Sequence, residues 1–98
     1  MSILNEIVHI LKKQKQICRV ILFGSRASNS YREDSDYDLC IIIKKEDIRK
    51  EIIFKLGEYM IKNNILIHPF ILTEKEYEYK KDISTYKQEI FDNGIILI

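Results

Sequence analysis

The stretch from Val20 to Ile43, VILFGSRASNSYREDSDYDLCIII, constrains the fold of this chain more than any other. It reads as an apolar strand, a Gly-Ser turn, a polar loop and a second apolar strand opening with two alternate aspartates. Ile17 to Phe23 is β-branched and nearly all apolar, the pattern of a strand covered on both faces, and Gly24 stops it. Residues 25–35 hold no run of core residues, so they form a turn, a short helix or a loop. Tyr37 to Ile43 is the second strand, mostly apolar after Asp38.

A strand that ends in Gly-Ser at the mouth of a short helix turns backbone N–H groups and a hydroxyl outward, donors that suit a phosphate. A side chain at Gly24 would fill the phosphate's space, Ser25 supplies the hydroxyl, and Arg26 can add a positive contact. Asp36 and Asp38, two apart at a strand entrance, point to the same face. Their Cα atoms should lie roughly 7 Å apart, close enough to share one Mg²⁺ or to bridge two. Without metal the pair is mutually repulsive; with it, a nucleotide's phosphates can be aligned for in-line attack. Asp34, Asp36 and Asp38 also resemble the opening of a calcium loop. Such a loop needs glycine at its sixth position and glutamate at its twelfth, where this chain has Leu39 and Lys45. A Walker phosphate loop is excluded as well, because no Gly-Lys-Ser/Thr follows Gly24.

The remaining elements follow from periodicity. Residues 2–15 read as an amphipathic helix with Ser2 as N-cap, ending in the lysine and glutamine run at 12–16. His9 falls at its surface or boundary. Lys44 to Asn63 is the clearest helix, with Ile48, Ile52, Leu56 and Tyr59 on one stripe and Asn63-Asn64 as its stop. Ile65 to Leu72 is a third strand, where Pro69 indicates an edge position or a bulge. Thr73 and Glu76 form a capping box that opens a short helix. Tyr77, Tyr79 and Tyr86 lie in the charged segment that follows. Asn93-Gly94 is a turn before the apolar tail Ile95 to Ile98, which adds a short strand or covers the core. The order predicts a single α/β (α+β) domain over residues 1–98, a small mixed sheet flanked by helices.

Composition narrows the function classes. The 98 residues are 46% hydrophobic and 32% charged, which fits a folded domain and argues against disorder. A net charge of +1 gives no basic field for general nucleic-acid binding. Cys18 and Cys40, each in or beside an apolar strand, read as reduced, buried small hydrophobes rather than a disulfide. The N-terminus lacks the features of a signal peptide, and no apolar run approaches the roughly 20 residues that span a bilayer. A cytoplasmic location with no membrane contact is expected.

The run GSRASNSYREDSDYDL, with Gly-Ser, ten residues and then Asp-x-Asp, resembles the signature of the DNA polymerase β-like nucleotidyltransferases. It is most similar to the minimal nucleotidyltransferases, and ILIHPFILTEKEYE and IFDNGIILI resemble that group's ending, so the likeness covers nearly the whole chain. The resemblance implies transfer of a nucleoside monophosphate, AMP from ATP, to an acceptor hydroxyl with release of pyrophosphate. It implies Mg²⁺ on Asp36 and Asp38, and triphosphate contacts from Gly24 and Ser25. Many minimal members are encoded beside a HEPN-domain ribonuclease toxin, and some act as antitoxins by transferring AMP to a tyrosine of that partner.

Two departures stand out. The family often continues Gly-Ser-x-Ala with Arg-Gly, where this chain has Ser28-Asn29; Asn29 tolerates a positive φ but supplies no cation. The family's third carboxylate, the general base on the neighbouring strand, has no equivalent, since Ile65 to Leu72 contains no Asp or Glu. By position the candidates are Leu66, which cannot serve, and His68, on the same face and able to accept a proton; a lone strand histidine also reads as structural. The chain has no room for a second domain to choose the acceptor, so a partner or a homodimer is expected to do so. Transfer to a small molecule such as an aminoglycoside is disfavoured on the same ground. The competing reading is an antitoxin that masks its partner without catalysis.

Overall fold

The computed structural model describes residues 2–28 and 31–98. The expected conformation of Asn29 therefore lies outside the described residues.

Helix α1 runs Ile3–Lys12, and Ser2 caps it by accepting from the Asn5 backbone N–H at 3.1 Å. It is shorter than the residue 2–15 expectation: the Lys13 and Gln14 N–H groups close the last turn, and the chain then enters the sheet. Strand β1 is Ile17–Phe23, followed by a 3-10 turn at Gly24–Ala27, and β2 is Tyr37–Ile43. A second 3-10 turn, Glu46–Ile48, leads into α2, Arg49–Asn63. That helix starts later than expected because the Lys44 N–H still pairs with the Gln16 carbonyl at the sheet end. It stops where Asn64 takes up the left-handed conformation (φ 52°). Strand β3 is Ile67–Thr73, and the capping box of Thr73 and Glu76 opens α3, Glu74–Lys80, as expected. The C-terminal segment is α4, Ser84–Tyr86, running on into a π-helical turn at Lys87–Asp92, and then the two-residue strand β4, Ile95–Ile96.

The sheet has the order β3-β2-β1-β4. Strands β1 and β2 are antiparallel, β1 and β4 are antiparallel, and β2 and β3 are parallel with α2 as their crossover. This is the small mixed α/β sheet the sequence predicts. Strand β2 lies inside, with Leu39–Ile43 all buried, and Pro69 sits on the edge strand, where its missing N–H leaves no inner ladder bond unmade.

One face of the sheet carries Val20, Leu22, Leu39, Ile41, Ile67 and Ile71, closed over by Ile7 and Leu11 of α1 and by Ile52 and Leu56 of α2. The other face carries Ile21, Cys40, Ile42 and Leu72 under Ile90, with Phe23, Phe70, Tyr77, Tyr86 and Phe91 at its margin. The expectation that β1 is covered on both faces holds only for Val20–Leu22. Cys18 and Arg19 are exposed, next to a register shift between Ile17 and Arg19. Cys18 is therefore not the buried hydrophobe expected, whereas Cys40 is; both are free thiols. Among the described residues no helix is long and apolar enough to cross a membrane.

Candidate functional site

The parity of the strands decides where the chemistry collects. Asp38 faces the same way as Cys40 and Ile42, toward the face covered by α3 and α4, and it pairs with Phe23 on β1 and His68 on β3. His68 lies between the two carboxylates: its Nε2 is 3.4 Å from Asp36 Oδ2 and its Nδ1 is 3.5 Å from Asp38 Oδ1. The aspartates thus share one side of the sheet end, and among the described residues no lysine or arginine pairs with either. All three side chains are partly open to solvent.

The Gly-Ser corner meets this cluster at Gly24. Its φ is +74°, and a Cβ there would overlap Asp38 Oδ2 and crowd the Asp38 carboxyl carbon. Glycine is needed at this position twice over, for its backbone angle and for the close approach of the carboxylate. Ser25 follows on the exposed 3-10 turn, its carbonyl accepting from the Ser28 N–H at 3.2 Å and the Ser28 hydroxyl at 3.0 Å.

Arg26 points elsewhere than the Asp38 cleft. Its Nε donates to the Ser35 carbonyl at 2.9 Å and its Nη2 to the Glu33 carbonyl at 2.7 Å, while the guanidinium lies 4.1 Å from the Tyr37 ring centre and 4.8 Å from that of Tyr31. It braces the loop that delivers Asp36 to the strand entrance, and it shares with Asp36 a cleft of about 450 Å³. The Gly24 side holds a second cleft of about 390 Å³, lined by Phe23, Gly24, Ala27, Ser28, Asp38, Glu89 and Asn93. Sequence reasoning missed Glu89 and Asn93 as cleft residues: their place beside Gly24 is visible only once residues 84–92 are known to be helical and folded over β1.

Two partly exposed carboxylates with no lysine or arginine partner among the described residues, one of them abutting a glycine turn, are hard oxygen donors of the kind that suits Mg²⁺. Among the described residues, no group of three His, Cys, Asp or Glu side chains is placed to hold a metal by itself. The geometry thus fits a metal whose remaining ligands come from phosphate and water. Cys40, below the cluster, contributes no nucleophile, since burial pushes its thiol up to about 12.

The family model for "Polymerase beta, Nucleotidyltransferase" matches residues 5–98. The chain belongs to this family. It is a nucleotidyltransferase, and the match takes in most of α1, the Gly-Ser turn, both aspartates and the tail. It is 37% identical over 103 residues to the "Putative protein adenylyltransferase" of Methanocaldococcus jannaschii, an alignment covering 92% of this chain and 97% of that one. Among solved structures, the nucleotidyltransferase resembles a toxin–antitoxin crystallised with AMP-PNP, with a TM-score of 0.64 at 17% identity. It also resembles a mutant of the toxin–antitoxin MntA-HpeT, with a TM-score of 0.63 at 15% identity. Each likeness covers 99% of this chain and 73% of the other, and each shows the shared fold.

Proposed function

We propose that this nucleotidyltransferase moves AMP from ATP to a hydroxyl of a partner protein, and that the partner is a HEPN-family toxin which the modification silences. The observation that carries the reading is the contact between Gly24 and the Asp38 carboxylate, which places the turn's backbone beside the aspartates. The relative named as a protein adenylyltransferase supports AMP and a protein acceptor, and the structural neighbours support a toxin as the partner.

Asp36 and Asp38 would hold Mg²⁺, which supplies charge neutralisation along the phosphates and steadies the leaving pyrophosphate. Gly24 and Ser25 would hold the triphosphate through the 3-10 turn, and Arg26, which braces the loop entering Asp36, would add positive charge near the phosphates. The acceptor hydroxyl passes its proton to His68 as its oxygen forms a bond to the α-phosphorus; the bond from that phosphorus to the bridging oxygen breaks, and pyrophosphate carries away that electron pair. With no carboxylate on β3, we assign contact with the acceptor hydroxyl to His68, the side chain between the two aspartates. A partner or a second copy of the chain supplies acceptor recognition.

Incubation with α-labelled ATP, Mg²⁺ and the protein encoded beside this one should label that protein. The Asp36→Ala, Asp38→Ala double variant should lose the labelling by roughly a thousandfold, since metal stabilisation is worth several kcal/mol. Undiminished labelling by that variant sinks the mechanism. A second reading, a catalytically weak module that neutralises its partner by contact alone, is favoured by the lack of a general-base carboxylate on β3. Neutralisation without ATP, unchanged in the double variant, would select it.

A further inference from the structure

The C-terminal helical segment brings a carboxylate into the Gly24 cleft, on the side of the turn assigned to the triphosphate. Glu89 and Asn93 line this cleft together with Gly24, Ala27 and Asp38. Glu89 makes no ion pair among the described residues, whereas its neighbour Lys87 is held by Asp92 at 3.1 Å. An anionic side chain beside polyphosphate is repulsive, so it fits only if it faces a part of the nucleotide that donates hydrogen bonds. It is also not one of a preformed three-ligand metal set among the described residues.

The wall that carries Glu89 is firmly held. Ile90 is buried against the sheet, Tyr86 stacks on Phe70 with ring centres 5.6 Å apart, and Phe91 meets Tyr77 edge-on at 5.1 Å. The Gly94 N–H closes the π-helical turn on the Ile90 carbonyl at 3.0 Å, and a Cβ at Gly94 would overlap both that carbonyl and Ile21. Asn93 has its Nδ2 committed to the Gln88 carbonyl at 2.6 Å, which turns its remaining polar atom, Oδ1, into a fixed acceptor. The cleft is thus lined by two residues able to accept hydrogen bonds, one charged and one neutral.

Resting on the nucleotidyl-transfer reading above, we propose that Glu89, assisted by Asn93, recognises the ribose of the nucleotide by accepting hydrogen bonds from its 2′- and 3′-hydroxyls. A vicinal diol offers two donors and no charge, and one carboxylate can accept both. The cleft, at about 390 Å³, falls in the size range of small-ligand sites. The consequence is selection of ribonucleotides over nucleotides without those hydroxyls, made by a helix remote in sequence from the signature motif.

The test compares Mg-ATP with Mg-2′,3′-dideoxy-ATP by calorimetric titration of the whole chain. Wild type should prefer ATP by about 10-fold or more, the scale of hydrogen bonds to a charged group. Glu89→Ala should lower ATP affinity most of the way to the dideoxy level and leave dideoxy-ATP unchanged, while Glu89→Gln, which keeps one acceptor oxygen, should recover part of the preference. Unchanged thermal unfolding of both variants will show that the exposed substitution has not disturbed the fold. Equal loss for both nucleotides, no loss, or tighter ATP binding in Glu89→Ala overturns the ribose assignment while leaving nucleotide transfer standing. Failure of the wild type to bind either nucleotide removes the transfer reading and this inference with it.

Discussion

On one face of the sheet, α1 and α2 lay Ile7, Leu11, Ile52 and Leu56 over a continuous aliphatic layer. On the other, α3 and α4 with the π-helical turn contribute one deeply buried aliphatic residue, Ile90, and otherwise place aromatic rings at the margin. The first face is closed along its length; the second leaves the Asp36, Asp38 and His68 end open to solvent. The difference shows how a chain this small can fold and still hold a repulsive pair of carboxylates. The closed face supplies the hydrophobic stabilisation, and the aspartates keep much of their hydration because they stay partly exposed.

The largest effect should come from the closed face. Leu56 is fully buried, and Leu56→Ala should cost about 2–5 kcal/mol in urea unfolding. Asp36→Ala or Asp38→Ala should change stability by less than about 0.5 kcal/mol, or raise it by removing repulsion. Destabilisation of the aspartate variants on the Leu56 scale would erase the division of labour between the faces.

Gly24→Ala comes next, because it strikes the boundary between stability and chemistry. A non-glycine residue at φ +74° costs about 1–2 kcal/mol, and the added Cβ must displace the Asp38 carboxylate. Transfer activity should therefore fall by roughly a hundredfold, the scale of an ångström-sized misplacement of a catalytic group. That loss exceeds what the shift in the urea midpoint accounts for. Retained transfer with reduced stability would mean that the contact shapes the turn alone.

A smaller effect is expected on the open face. Tyr86→Ala removes a ring stacked on Phe70, a pair worth about 0.5–1.5 kcal/mol beyond its buried area. Urea unfolding should show that loss, and the preference for ATP over dideoxy-ATP should weaken as the wall bearing Glu89 loosens. A preference unchanged in a destabilised variant would show that Ile90 and Gly94 suffice to hold the wall.

Much of this contrast is legible in the sequence. The strand limits at Ile17–Phe23 and Tyr37–Ile43, the Thr73–Glu76 cap, the Asn64 stop and the edge position of Pro69 each follow from local chemistry: a period, a cap, a left-handed residue, a missing N–H. The juxtaposition of Gly24 with Asp38 also follows, because the loop between two antiparallel strands returns to where it began. What local chemistry does not encode is which surface a residue meets. Cys18 reads as core and is exposed, since the register shift beside it turns that end of β1 out of the sheet's cover. The internal partners of Arg26 are equally hidden: the Glu33 and Ser35 carbonyls and two tyrosine rings that hold it lie outside the motif. Glu89 carries no sequence signal, because its role depends on a tertiary fold-back over β1.

At the sheet end away from the aspartates, a polar clamp ties the two faces together, and it gives the smallest predicted effect. Arg49, at the start of α2, donates to the Ile71 carbonyl at 2.6 Å and reaches Glu76 Oε1, on α3, at 3.0 Å. The Thr73 backbone N–H holds the Glu76 carboxyl below its ordinary value, with the Thr73 hydroxyl and Arg49 adding to the effect. A carboxylate whose folded value is depressed stabilises the fold fully above its unfolded value, about pH 4.3, and loses that contribution as the pH falls through the folded value. Glu76→Gln should therefore lower stability at pH 7 by less than about 1 kcal/mol, the scale of an exposed cap and ion pair. The gap from wild type, read from urea midpoints from neutral pH down to about pH 3, should narrow on the acid side. A gap that stays constant across that range would mean that the clamp works through neutral hydrogen bonds and shape, and that the two faces are coupled by packing rather than by charge.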